Sequence, residues 1–264
     1  MNPEGTLIEI FLRSFAGQAS AYFIVVTLVY LTVWRWGRAW FARLRIATKK
    51  KTDGKQIRTE IGNTLVTLLV GTLNATVILG LYRDGHTQLS TDAASWTWPW
   101  IAAQVVGLIV LNDGWFYAFH RLLHHPAVFQ RVHVVHHRSV DVNPFTSYSF
   151  HFAEAFLLGA WSIPTLMFVP MYAPAFGLVQ AIGLANNVMS HLGYELLPRW
   201  LLRVPGLRWM NTATFHSLHH TRFTGNYGLF FRFWDRVFGT ELPGYEDAFL
   251  RRGEPATRPA PEPP

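Results

Sequence analysis

Histidine is the residue type in this chain whose number and spacing could do chemistry. The stretch from Asp113 to His137 reads D-G-W-F-Y-A-F-H-R-L-L-H-H-P-A-V-F-Q-R-V-H-V-V-H-H, with H-x-x-x-H at His120 and His124 and H-x-x-H-H at His133, His136 and His137. The second pattern returns at His216, His219 and His220. On a helix, spacings of three and four put side chains on one face, and imidazole is the commonest protein ligand for transition metals near neutral pH. His191 stands apart but follows Asn187 by one helical turn, as N-x-x-x-H. Of the twelve histidines, eleven lie between residues 120 and 220. Burying so many imidazoles without a metal would leave many polar nitrogens in need of partners. The expected metal ligands are therefore His120, His124, His133, His136, His137, His191, His216, His219 and His220. That set exceeds the four ligands of a structural zinc or the three of a catalytic one; two metals with four or five nitrogens each would use it all.

Several neighbours are candidates for ligands or for groups that orient them. Asp113 lies two turns before His120, with Tyr117 between, and a carboxylate there could accept the outer N–H of a ligand imidazole. A helix-end salt bridge is the competing reading. His151, with Glu154 three residues on, is a candidate ligand or ligand partner, and Asn187 could direct a water toward the metal. His125, next to His124, points about 100° away on a helix. His86 is isolated in a polar connector and expected to be solvated.

The elements that must bring these residues together read as membrane helices. Half of the 264 residues are hydrophobic and only 15% are charged, which is apolar for a soluble domain. Ser14–Trp34, Ile61–Tyr82 and Ala93–Asn112 carry no formal charge, and each is long enough to span ~30 Å of hydrocarbon as a helix. Residues 3–13 mix apolar and charged side chains and read as an interfacial segment; no cleavable signal peptide is expected. Residues 155–190 are also charge-free, but Pro164, Pro170 and Pro174 interrupt them, so a hairpin or re-entrant pair is expected. The expected architecture is an all-α integral membrane protein of three spans and one Pro-broken hairpin, with a cytoplasmic helical cap holding the di-metal site. Residues 1–112 form the N-terminal part, 113–250 the histidine domain, and 251–264 a disordered Pro-rich tail with Thr224-Gly225-Asn226-Tyr227-Gly228 as a turn upstream.

Charge and composition narrow the function. The net charge of +7 is concentrated beside a span, with nine Lys or Arg and one acid from Arg35 to Arg58. That points to a lipid surface on the cytoplasmic side, with an acidic redox partner as a compatible second reading, and not to nucleic acid. The chain has no cysteine, which excludes disulfides, iron–sulfur clusters and thiolate-ligated haem.

H-R-L-L-H, H-V-V-H-H followed by N-P-F, S-H-L-G-Y-E at 190–195, and H-S-L-H-H followed by G-N-Y-G-L-F-F-R-F-W-D-R-V-F-G-T together resemble the fatty acid hydroxylase/sterol desaturase superfamily over roughly residues 112–241. The resemblance implies a multi-pass enzyme of the bacterial inner membrane or endoplasmic reticulum. It implies two iron ions, for which zinc can substitute in purified protein, and O2 as co-substrate. Its members attack an unactivated C–H bond of a lipid, giving an alcohol or, by removal of a second hydrogen, an alkene. Electrons are expected from a separate donor, a ferredoxin or a b-type cytochrome with its reductase. Asn187 stands where some members carry another histidine, so the implied ligand count is nine or ten. A membrane haem cytochrome would need paired histidines on facing spans, and a metal transporter would need polar residues at mid-membrane. Neither fits these triplets and apolar spans as well.

Overall fold

A computed structural model describes residues 5–46, 48 and 51–252; most of the Pro-rich tail lies outside the described residues. Helix α1 (Leu7–Val29) starts at Thr6, whose hydroxyl accepts from the Glu9 amide while the Glu9 carboxylate accepts from the Thr6 amide. This reciprocal cap satisfies two donors that would otherwise lack partners. The helix continues unbroken into a π-helical turn, Tyr30–Trp36. Residues 7–13 of the segment expected at an interface are the first turns of this same helix, and residues 3 and 4 lie outside the described residues.

Asp53 caps α2 (Gly54–Arg83) by accepting from the Gln56 amide. Strand β1 (Leu89–Ser90) follows, and then α3 (Trp98–Leu123), with Pro99 in its first turn. The third expected span and the first histidine helix are therefore one element. The remaining helices are α4 (Pro126–Phe129), α5 (Val134–His137), α6 (Phe152–Gly159), α7 (Ser162–Phe168), α8 (Ala173–Ser190), α9 (Ala213–Arg222), α10 (Phe233–Val237) and α11 (Tyr245–Leu250), with β2 (Met171–Tyr172) between α7 and α8.

Among the described residues, three helices are long and apolar enough to cross a membrane: Leu7–Trp36, Gly54–Arg83 and Trp98–Leu123. The sidedness of residues within α2 fits that solvent. Glu60, Thr64, Thr67 and Thr72 are buried, whereas Leu65, Leu69, Leu73 and Val77 are exposed. Water would favour the reverse, while hydrocarbon accepts the apolar face and leaves the polar one to be satisfied inside.

The charge-free stretch 155–190 turns back on itself as expected, although Pro164 does not break it. Pro164 sits in the first turn of α7, where a missing N–H leaves no hydrogen bond unmade. The breaks fall after Gly159 and around Pro170, and Pro174 opens α8. At the tip, β2 pairs in parallel with β1, Leu89 opposite Met171 and Ser90 opposite Tyr172. The hairpin therefore reaches the connector that joins α2 to α3, and its two limbs return the chain to the histidine end. Packing follows from this: α1 lies on α2, α2 on α6, and α3 on α8. One apolar core joins Tyr22, Val26, Leu68, Phe145 and Val188; another, nearer the hairpin tip, joins Leu108, Trp161, Leu166, Met171 and Val179. A third, Leu201, Phe215, Tyr245 and Phe249, seats α9 and α11 in the C-terminal layer.

Candidate metal centre

The nine motif histidines come from different elements and converge on two adjacent groups. His120, His124, His133, His137 and His219 form one; His136, His191, His216 and His220 form the other. Within each group one nitrogen per residue lies within 4.8 Å of every other. His120 ends α3, His136 and His137 lie on α5, His191 ends α8, and His216, His219 and His220 share α9. Since α5 carries His137 into one group and His136 into the other, and α9 likewise divides His219 from its neighbours, the groups abut. The rings of His137 and His220 are 4.7 Å apart between centroids.

The outer nitrogens explain the inner ones. Nδ1 of His120 donates to the Tyr227 carbonyl (2.8 Å), that of His136 to Ser149 (3.3 Å), that of His191 to Asn187 (2.8 Å), that of His219 to Gly225 (2.7 Å) and that of His220 to Ser139 (3.0 Å). A carbonyl oxygen only accepts, so these Nδ1 atoms carry the proton and each neutral ring presents a bare lone pair at Nε2. Nδ1 of His133 lies 2.8 Å from Oε1 of Glu154. No partner reaches Nδ1 of His137 or His216 among the described residues.

Those Nε2 atoms face one another. The separations are 3.1 Å for His120–His133 and His133–His137 and 3.2 Å for His137–His124. In the second group they are 3.2 Å for His136–His191, 2.9 Å for His191–His216 and 3.1 Å for His216–His220. His136 and His191 cannot hydrogen-bond through these atoms, because both protons are already committed at Nδ1. Nε2 of His219 is buried with no hydrogen-bond partner among the described residues. Lone pairs aimed at lone pairs in a buried site repel unless cations lie among them, so the donor set fits two metal ions. Burial is the main cause that holds His133, His136, His137, His216, His219 and His220 well below the ordinary imidazole value, with neighbouring imidazoles reinforcing it. His191 is held at about 4 and His124 at about 2, again chiefly by burial. Neutral imidazole is the form that binds metal.

The loop after α9 is the part of the site that its spacing does not advertise. Asn226 is in the left-handed region at φ 60°, and a Cβ at Gly225 would collide with the Thr240 carbonyl, as one at Gly228 would with that of Phe231. The two glycines let the backbone turn tightly enough for the Gly225 and Tyr227 carbonyls to reach His219 and His120. Asp235 fixes the same loop, accepting from the Tyr227 and Gly228 amides at 2.8 Å. A similar clamp lies on the α2 side. Glu60 accepts from Ser139 (2.6 Å), Thr146 (2.8 Å) and Asn143 (2.8 Å), holding the loop whose Ser139 carbonyl orients His220. Tyr227, Gly225 and Ser139 act through their backbones, so only the G-N-Y-G turn left a trace in the sequence.

Other candidates lie elsewhere. Asp113 does not meet His120: its carboxylate accepts from the Phe230 and Phe231 amides at 2.7 and 3.2 Å, which removes both the ligand-orienting and the salt-bridge readings. The Tyr117 hydroxyl pairs with that of Thr240 at 3.0 Å. Asn187 donates from its side chain to the Ser147 carbonyl at 2.7 Å and accepts from His191 Nδ1 through its backbone carbonyl. His151 caps α6 through the Ala153 amide and lies outside both groups, while Glu154 takes the place beside His133. His125 and His86 are exposed.

Beside the two groups, between α2, α3, α6 and α8, is a cavity of ≈ 430 Å³ with no charged side chain in its lining among the described residues. Phe116 and Phe150 separate it from the histidines, their rings 4.9 Å from His120 and 4.8 Å from His136.

A helical membrane bundle with this donor set has relatives. The family model described as fatty acid hydroxylase matches residues 105–240, more than half of the chain, and the chain belongs to that family. It is 30% identical over 189 residues to a Delta(7)-sterol 5(6)-desaturase, ERG3B, of Gibberella zeae, covering 70% of this chain and 56% of that one. It is 34% identical over 145 residues to methylsterol monooxygenase 1 of Danio rerio, covering 54% and 48%. It is 36% identical over 154 residues to very-long-chain aldehyde decarbonylase GL1-7 of Oryza sativa subsp. japonica, covering 56% and 24%. The chain thus spans about half the length of the two sterol enzymes and a quarter of the decarbonylase. No solved structure matches it.

Proposed function

We propose that this protein is a membrane oxidoreductase that uses two histidine-bound iron ions, O2 and two external electrons to hydroxylate a C–H bond of a lipid. The observation that carries the reading is the set of buried Nε2 lone pairs facing one another across two adjacent groups. A pair of irons supplies, when bound, the reductive activation of O2 and the removal of hydrogen from an unactivated carbon. His120, His124, His133, His137 and His219 would hold one ion and His136, His191, His216 and His220 the other. All-nitrogen ligation sets the site apart from the carboxylate-bridged di-iron centres of soluble bundles.

The residues around the site account for the substrate class. The cavity opens within the bundle and offers Leu68, Ile78, Phe116, Phe150, Leu158 and Leu184 to an apolar chain. Its lining holds no cation for an ionised head group among the described residues, so the neutral part of a lipid is what it accepts. Phe116 and Phe150 aim the reacting carbon between the two groups and keep water from it. Desaturation is the second reading, favoured by the desaturase relative that matches over most of this chain. The basic stretch 35–58 sets the histidine end toward the cytoplasm, with residues 83–95 opposite. An external electron donor, a ferredoxin or b-type cytochrome, would approach from that side.

The test is mass spectrometry of lipids from cells with and without the gene. A lipid gaining one oxygen supports hydroxylation, and one losing two hydrogens supports desaturation. Identical lipid profiles under aerobic growth with the protein present would contradict both.

A further inference from the structure

The outer nitrogens of the histidines are not treated alike. Five donate to backbone carbonyls, which are neutral dipoles. Among the described residues only His133 has a carboxylate against its ring: Nδ1 and Oε1 of Glu154 are 2.8 Å apart, and the two side chains are 1% and 0% exposed. Among the described residues neither oxygen of Glu154 accepts a hydrogen bond, and the His133 contact is one of proximity without hydrogen-bond alignment. Glu154 stands in the first turn of α6, whose cap at His151 and packing on α2 fix where that carboxylate points.

A carboxylate buried with one neutral partner is costly. The cost is offset if the partner ring carries a cation at Nε2, because the carboxylate then faces a positive charge across that ring. His133 belongs to the five-histidine group, and no acidic side chain touches a ring of the other group among the described residues. We infer that Glu154 is a positioning residue that makes the two metal positions unequal, giving the five-histidine position the tighter hold and the four-histidine position the weaker one. This rests on the two-metal reading proposed above.

The experiment titrates the full-length, metal-stripped protein in detergent with Co2+ alone, following the ligand-field absorption and the competition with a chelator. Wild type should take two equivalents in two resolved phases. Glu154→Gln keeps the shape of the side chain but removes the charge, and should weaken the tight phase by ~10–100-fold, as changes next to a metal ligand commonly do, while the weak phase stays within a few-fold. His191→Ala removes a donor from the other group and should weaken the weak phase selectively, which separates a local effect from misfolding. Equal weakening of both phases in Glu154→Gln, or no change in either, would overturn the inference. A wild type that takes fewer than two equivalents would instead overturn the two-metal reading itself.

Discussion

At the scale of the residue, five of the nine histidines are fixed by an outer nitrogen on a backbone carbonyl, and all nine turn a ring nitrogen to the site. Losing one ring should therefore remove a bond that nothing nearby replaces. His136→Ala and His219→Ala should each lose product formation and lower the iron content of the purified protein. Their effects on metal affinity should exceed the ~10–100-fold of an outer-shell change. His86→Ala and His125→Ala, both exposed, should behave as wild type in the same side-by-side measurement of turnover and iron. Full activity in either cluster variant would detach that group from the chemistry.

Acidity belongs to the same scale. The folded chain holds these imidazoles neutral, His191 down to about 4, whereas in an unfolded chain they protonate near the ordinary ~6.5. Where the unfolded state binds more protons, stability rises with pH. The metal-free protein should therefore be insensitive to pH above ~6.5 and lose stability as the pH falls from there toward ~4. Unfolding midpoints across that range check the sign; a rise in stability on acidification would contradict it.

Between elements, the site depends on loops clamped by buried carboxylates. Asp113 on α3 accepts the Phe230 and Phe231 amides and so ties the loop carrying Gly225 and Tyr227 to the span that carries His120. Asp113→Ala leaves those amides without an acceptor and should cost of order 1–3 kcal/mol for each, with Asp113→Asn milder because one acceptor remains. The midpoint of thermal unfolding in detergent reports it, and an unchanged midpoint for the alanine variant would refute the clamp.

The same comparison shows why the sequence was legible only in part. Imidazole spacing on helices transmits directly into space, so the nine rings and the three long helices could be read from periodicity and charge. Asp113 could not be placed that way, because its partners are backbone amides 117 and 118 residues on, and an amide carries no residue-type signal. The same holds for the carbonyls of Ser139, Gly225 and Tyr227. Pro164 misled for a different reason: a proline within the first turn of a helix interrupts nothing.

Over the whole molecule, the hairpin from α6 to α8 returns the chain to the end it left, as its pairing with the α2–α3 connector requires. Residues 43 and 221, both exposed, should then be reached by an impermeant thiol reagent from the same side of the membrane, and residue 86 from the other. The chain has no native cysteine, so single replacements give an unambiguous readout. Labelling of 43 and 221 from opposite sides would contradict the topology.

The most direct measurement is the metal content of protein purified without oxygen and reconstituted with Fe2+. Two irons per chain, with the ring scattering of imidazole ligands in X-ray absorption, is the expected result. One iron or none in catalytically active protein would contradict the assignment of the nine histidines to a pair of metal sites.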